Sequence, residues 1–407
     1  MQALTAKAEW KSYWTLPIAA ALGYATSVIH IYGLSPYIVP ISEDFGWDRT
    51  TVTLGLTIAT LIQALFGVPI GILVDRIGPR PLGVFGVMLS CAAFALIGLA
   101  ANGSEWQWYG LWVVMAAATL PVQATIWTAA VATRFEASRG MAFAITLCGA
   151  SVAQALFPWL GATLIERHGW QTGMGIQAAI WAAIAVPVIV LFFRGARDAR
   201  GLVPAAAPRQ LDGFGFAEGL KSSIYLRLLL ASLLFTFVAL ALVVSFIPIQ
   251  TDAGMDASDA GALAVWIGLF AIAGRLSTGA LIDRFRANLV GAAVFGLPIL
   301  ACLTFLFVGP EGAFLAAALI GLTVGAEVDV IVYLATRHFG LKAFGALYGG
   351  LLVALSLGTA LGPLAAARVY DETGTYDAFF WAAIGCMVVS VGLLASLPRP
   401  AFGVEKG

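Results

Sequence analysis

Apolar residues run along this chain in long blocks separated by short polar interruptions. Twelve of these blocks approach the roughly 20 residues that an α-helix needs to cross a hydrocarbon core. In the first half they are Tyr13–Pro40, Thr51–Val74, Pro81–Ala101, Trp108–Ala132, Gly140–Ile165 and Thr172–Phe193. In the second half they are Ile224–Gln250, Ala262–Ile282, Leu289–Val308, Ala313–Leu334, Phe344–Ala367 and Ala378–Leu397. The pattern predicts an all-α membrane protein of twelve transmembrane helices.

Composition supports that class, since 60% of the residues are hydrophobic and 11% charged, whereas a soluble surface needs about a quarter of its residues charged. Lys and Arg gather in alternate loops. With both termini inside, the cytoplasmic segments hold residues from Lys7 and Arg76 through the Arg194–Arg227 set to Arg399 and Lys406, and only Arg49, Arg167 and Arg368 lie outside. Cytoplasmic loops are the ones that accumulate these cations. The outer loops carry Glu43, Asp44, Asp48, Asp252, Asp256, Asp259, Asp371, Glu372 and Asp377 instead. The expected place is the cell (inner) membrane, multi-pass, with cytoplasmic termini. A formal net charge of zero gives no field to recruit nucleic acid, and the chain is taken as a monomer. Cys91, Cys148, Cys302 and Cys386 fall in separate spans and are expected to be reduced, packed thiols. The first block is too long for a signal peptide and lacks a cleavage site, so it is expected to stay as helix 1.

Polar residues 195–222 separate residues 1–194 from 223–407, six helices from six, and read as a cytoplasmic linker. The stretch from Gly71 through Asp75, Arg76 and Gly78 to Arg80 after helix 2 recurs as Gly279, Asp283, Arg284 and Arg286 after helix 8. Matching positions in two halves argue for an internal repeat, hence two pseudo-symmetric six-helix bundles.

This repeated loop resembles the signature between helices 2 and 3 of the major facilitator superfamily. The resemblance implies a secondary transporter with a cytoplasmic latch. Gly71 then lets helices 2 and 11 approach closely, Asp75 faces the positive end of helix 11, and Arg76 and Arg80 pair with Glu136 or a neighbouring carbonyl. Asp283 and Arg284 form the second copy. Pro79 stands where the family usually has a basic residue, and Arg286 replaces a glycine, which makes the second copy the weaker latch. The plain alternative is that these charges only set topology.

Three further stretches, Phe45–Arg49, Gly274–Gly279 and Arg337–Gly340, resemble the monocarboxylate transporter and oxalate/formate antiporter branch. There the helix 8 arginine, here Arg275, holds the substrate carboxylate. Ala271 stands where some relatives carry an acid, and helix 11 supplies no lysine as a second cation.

Arg275 is itself the most informative residue, because an intramembrane charge is costly and marks a substrate or ion path by default. Helix 10 carries Glu327 and Asp329, and helix 1 carries His30. Arg275 lies eight residues before Asp283, and Asp329 eight before Arg337, so each is about 12 Å from the cytoplasmic end, with Glu327 at about 15 Å. That shared level near the midplane is where a site between two repeats is expected. At about 100° per residue, Glu327 and Asp329 point about 200° apart, so one lines the path and the other packs. The plain alternative is a buried ion pair that merely neutralises itself. For His30 it is a satisfied hydrogen bond. Tyr32 and Gln123 are candidate binding residues, and Gln63, Gln154, Trp127, Tyr37, Tyr333 and Tyr348 are span residues for which packing is the plainer role.

No nucleotide-binding loop, metal-ligand cluster or supported nucleophile occurs, so no enzyme and no cofactor is expected. The reading is a proton symporter of a small organic anion, a monocarboxylate, working by alternating access. Arg275, His30, Tyr32 and Gln123 bind the substrate; Asp329, or else Glu327, couples the proton. Anion exchange, efflux of amphiphilic compounds and a non-transporting sensor are the alternatives.

Overall fold

The computed structural model describes residues 5–135, 137–195, 213–282, 284–340 and 344–399. The chain divides into two compact units, Met1–Ala205 and Ala206–Gly407. Among the described residues every element is helical, apart from one isolated antiparallel bridge between Gly213 and Gly340.

The first unit contains α1 (Ala6–Tyr13), α2 (Thr15–Ser27), α3 (Ile29–Tyr32), α4 (Ile38–Phe45), α5 (Arg49–Ile77), α6 (Pro79–Ala100), α7 (Glu105–Thr119), α8 (Ala124–Ala132) and α9 (Arg139–Phe192). The second contains α10 (Phe216–Leu220), α11 (Ser223–Val244), α12 (Phe246–Asp252), α13 (Ala257–Ile282), α14 (Ala287–Phe307), α15 (Ala313–Phe339), α16 (Phe344–Thr373) and α17 (Asp377–Ala395). Ten helical stretches are long and apolar enough to cross a bilayer, and the bent run Thr15–Ser27 with Ile29–Phe45 is an eleventh. One of the ten, α9, has 54 residues, about 80 Å at the helical rise and far more than one crossing needs. It is two spans, divided where Gly169 takes φ 73° and ψ 167°, a conformation that glycine alone adopts without strain. The described residues therefore hold twelve spans.

Three predicted spans are not continuous helices. The first bends by 49°. Ahead of the bend, Thr26 Oγ1 donates to the Leu22 carbonyl at 3.0 Å and Ser27 Oγ to Tyr24 at 2.7 Å, a back-bonding that competes with the helical ladder. Beyond it, Pro36 supplies no backbone donor. The fourth span breaks at a 3₁₀ turn, Leu120–Val122, around Pro121, and the seventh at Ser245. Broken backbone at membrane depth persists only where protein covers it, and His30, Tyr32, Ser35 and Tyr37 along the first break are all buried. The end of the polar stretch is packed on the second unit. Phe214 donates its backbone N–H to the Phe339 carbonyl at 2.9 Å, and Gly219 of α10 sits against Leu347, so residues 213–222 belong to the second unit.

Helix pairing repeats between the units. In the first, α2 packs on the early part of α9, α5 on α7, and α6 on both α7 and the late part of α9. In the second, α11 packs on α16, α13 on α15, and α14 on both α15 and α17. Span by span these are the same partnerships: one with five, two with four, three with four and six. Exposed Leu65, Leu99, Leu191, Leu226, Phe307 and Trp381 give the outer faces the apolar surface that lipid requires.

Candidate functional site

The second unit assembles its charged site where α13 crosses α15. The two backbones meet without intervening side chains. A Cβ on Gly325 would run into the Ala271 carbonyl, and one on Gly274 into the Leu322 carbonyl. Small residues permit this closeness in membrane proteins, where packing rather than water drives helix association. The position left empty of acid at Ala271 is therefore part of the contact surface.

Beside that contact, Arg275 Nη1 donates to both Asp329 oxygens at 3.2 Å. Arg275 is 11% exposed and Asp329 33%. Arg275 Nε is buried without a hydrogen-bond partner, so a single nitrogen of the fork serves the pair. Glu327, two residues earlier, is buried and lies within electrostatic reach of Arg275 without a hydrogen bond to it. Of the two carboxylates, Asp329 faces the more open side and Glu327 packs. Further along α15, Arg337 folds back so that its Nη2 donates to Tyr333 Oη at 3.1 Å and its guanidinium covers that ring at 5.1 Å.

His30, Tyr32 and Gln123 all belong to the first unit. His30 is fully buried; Gln63 Nε2 lies 3.1 Å from His30 Nε2 and donates to Thr119 Oγ1 at 2.6 Å. Thr119 Oγ1 is itself 2.9 Å from the Met115 carbonyl, so its proton is used there and it accepts from Gln63. His30 then accepts at Nε2 and carries its proton on Nδ1, a buried donor with no partner. Tyr32 is buried, and half-buried Gln123 occupies the N-cap of α8 after the Pro121 break. Trp127 packs against Gly23 and donates to the Val122 carbonyl at 2.8 Å.

Of the loop signature, Glu136 and Asp283 lie outside the described residues, as do the side chains of Asp75 and Arg76 and the surroundings of Gly71. Gly78 makes the turn into α6 at φ 92°, Arg80 Nη2 donates to the Val190 carbonyl at 3.0 Å, and Arg284 is exposed.

Two polar residues of the first unit escaped the sequence reading. Gln177, wholly buried, accepts from Tyr37 Oη at 2.8 Å. Glu9, 2% exposed, accepts from the Ala137 and Ser138 backbone N–H groups at 2.9 and 3.0 Å and from Ser138 Oγ at 2.7 Å. A glutamine among alanines was a readable signal, whereas Glu9 sits in an ordinary charged segment and nothing in sequence separates it from a solvated residue.

Two repeated six-helix units of membrane length, with charges held inside one of them, define a polytopic membrane transporter. Residues 20–340 match the Major Facilitator Superfamily, and the chain belongs to that family. Among curated proteins it is 24% identical over 366 residues to MFS-type transporter 1 of Ophiocordyceps sp. (strain BCC 1869), covering 88% of this chain and 78% of the relative. It is 26% identical over 315 residues to the MFS transporter asaE of Aspergillus flavus, covering 75% and 68%. A shorter match, 26% over 172 residues, covers 40% of this chain and 36% of the riboflavin transporter RibJ of Trypanosoma cruzi. Among solved structures, a bacterial homologue of the human lysosomal transporter Spinster, inward-facing and unoccupied, superposes with a TM-score of 0.64 at 18% identity over 93% of both chains. That likeness shows the fold.

Proposed function

We propose that this transporter carries a small organic monocarboxylate together with a proton by alternating access, in the cell inner membrane with both termini cytoplasmic. The observation that carries the reading is the Arg275–Asp329 pair, held inside the second unit through one guanidinium nitrogen. A guanidinium has five donors in a planar fork matched to carboxylates. Asp329 holds the guanidinium through one nitrogen, a contact that a substrate carboxylate bound to both arms of the fork would replace. The resemblance of Gly274–Gly279 to the monocarboxylate branch supports the same assignment.

Coupling follows from competition. With no substrate, Asp329 neutralises Arg275. When a substrate carboxylate takes the guanidinium, Asp329 loses its counter-charge in a poorly solvated place, and taking up a proton removes the cost of leaving it charged. The loaded carrier is then also the protonated one. His30, Tyr32 and Gln123 are assigned to substrate recognition as polar, uncharged groups of the first unit. The remaining latch residues, Gly71, Asp75, Arg76, Gly78, Arg80, Glu136, Asp283 and Arg284, are assigned to gating on the cytoplasmic side.

Uptake by proteoliposomes of a panel of mono- and dicarboxylates, with and without an imposed pH gradient, tests the proposal. Saturable monocarboxylate uptake driven by the gradient is expected. A requirement for internal counter-substrate with no response to pH would assign exchange instead, and preference for a dicarboxylate or a neutral amphiphile would remove the monocarboxylate assignment.

A further inference from the structure

The second unit has a cavity of about 220 Å³ at the end where α12, α14 and α16 finish and α17 starts. It is smaller than the roughly 300–1,000 Å³ pockets that hold drug-sized ligands, so an occupant is a small molecule. We infer that this cavity binds a small organic ammonium ion, separately from the Arg275–Asp329 pair.

Charge points to a cation. Asp252 and Asp377 both line the cavity, and none of its described lining residues is Lys, Arg or His. Its wall also includes Ala253, Gly309 and Gly374, which follow the C-terminal ends of α12, α14 and α16. Helix C-termini present the negative end of the helix dipole. One N-terminus opens here too, that of α17, and Asp377 as its first residue offsets it. The nearest basic residue along α16, Arg368, is engaged by Glu372 at 2.6 Å.

The walls point to an organic cation. Tyr370 and Tyr376 have ring centroids 4.9 Å apart, Tyr376 and Phe380 6.2 Å, and Phe380 stacks on Phe305 at 5.2 Å. These rings line the cavity together and give an organic ammonium ion aromatic and apolar contact. They offer little to a hydrated metal ion, and no cluster of three His, Cys, Asp or Glu suited to a metal occurs among the described residues.

Gln250 points to an occupant with N–H groups. It lines the cavity, is 1% exposed, and its carboxamide oxygen has no hydrogen-bond partner. Buried acceptors are rarely left unpaired, and a primary ammonium supplies the missing donor.

Calorimetric titration of the detergent-purified full chain with benzylammonium, tetramethylammonium, neutral benzyl alcohol and Ca²⁺ tests this. Benzylammonium should bind saturably at one site, with benzyl alcohol roughly tenfold weaker or more, a factor that corresponds to 1.4 kcal/mol. The double variant Asp252→Asn, Asp377→Asn, both on exposed side chains, should weaken benzylammonium by a similar factor. Gln250→Leu should weaken benzylammonium several-fold and leave tetramethylammonium, which has no N–H, unchanged. Arg275→Lys should leave benzylammonium binding intact, so that failure of the anion site and of this one are told apart. Equal binding of benzyl alcohol, an unaffected double aspartate variant, or binding of Ca²⁺ alone overturns the inference.

Discussion

The two units share their helix pairing but differ in the polar groups they bury. The six apolar runs of the first contain no Asp, Glu, Lys or Arg, and their polar contacts are neutral: His30 with Gln63 and Thr119, Tyr37 with Gln177, Trp181 with Thr26. The second holds Arg275, Glu327 and Asp329 deep in its runs, with Arg227 near an end, where it donates to the Ser396 carbonyl at 2.8 Å. Neutral hydrogen bonds inside a membrane protein contribute little each, about 0.6 kcal/mol on average. A buried charge costs several kcal/mol unless partnered. Two halves built on one packing plan thus differ in electrostatics. Under the proposed function, the charged half serves binding and coupling and the neutral half shape and hydrogen-bond selection.

The largest expected effect breaks the charged half. Arg275→Lys keeps the charge but loses the planar fork, and loss of the charge-assisted hydrogen bonds, about 1.5–3 kcal/mol, should lower carboxylate affinity about 10- to 100-fold. Substrate titration of uptake measures it; a variant with normal affinity removes Arg275 from recognition. Next is Asp329→Asn, which should abolish pH-driven accumulation while sparing exchange of labelled for unlabelled substrate, since exchange needs no net proton movement. If Asp329→Asn still accumulates substrate against its gradient, Glu327→Gln is the next variant to measure, and accumulation by both clears α15 of the coupling role.

Packing between α13 and α15 should show a smaller effect, on stability. Gly325→Val pushes a side chain into the Ala271 backbone, and overpacking of this kind costs about 1–3 kcal/mol. A lowered melting temperature in detergent is expected, and an unchanged one would mean that the helices separate easily here. The smallest effect sharpens the contrast from the neutral half. Gln63→Leu removes the partner of His30 and Thr119, and at about 0.6 kcal/mol per bond it should change substrate affinity no more than a few-fold while leaving the pH response of uptake intact. A loss of proton coupling in that variant would move the proton path to His30 and undo the division of labour.

Sequence by itself determined the membrane class, the number of spans and the repeat, because a bilayer demands about 20 apolar residues per crossing and the demand is written locally. It also set Arg275 beside a carboxylate of the tenth span, since helical rise converts residue number into depth. It did not determine the breaks at Val28, Leu120–Val122 and Ser245, because a broken helix and a whole one are equally apolar and the break is tolerated only by what covers it. Nor did it choose between Glu327 and Asp329 by direction. The backbone contact of Gly274 and Gly325 with α15 and α13 fixed how the two helices face each other, and that turned Asp329 to the guanidinium and Glu327 into the packing. Glu9 and Gln250 became visible as buried polar groups only in three dimensions. Burial is a property of neighbours distant in the chain, and only the tertiary structure supplies those.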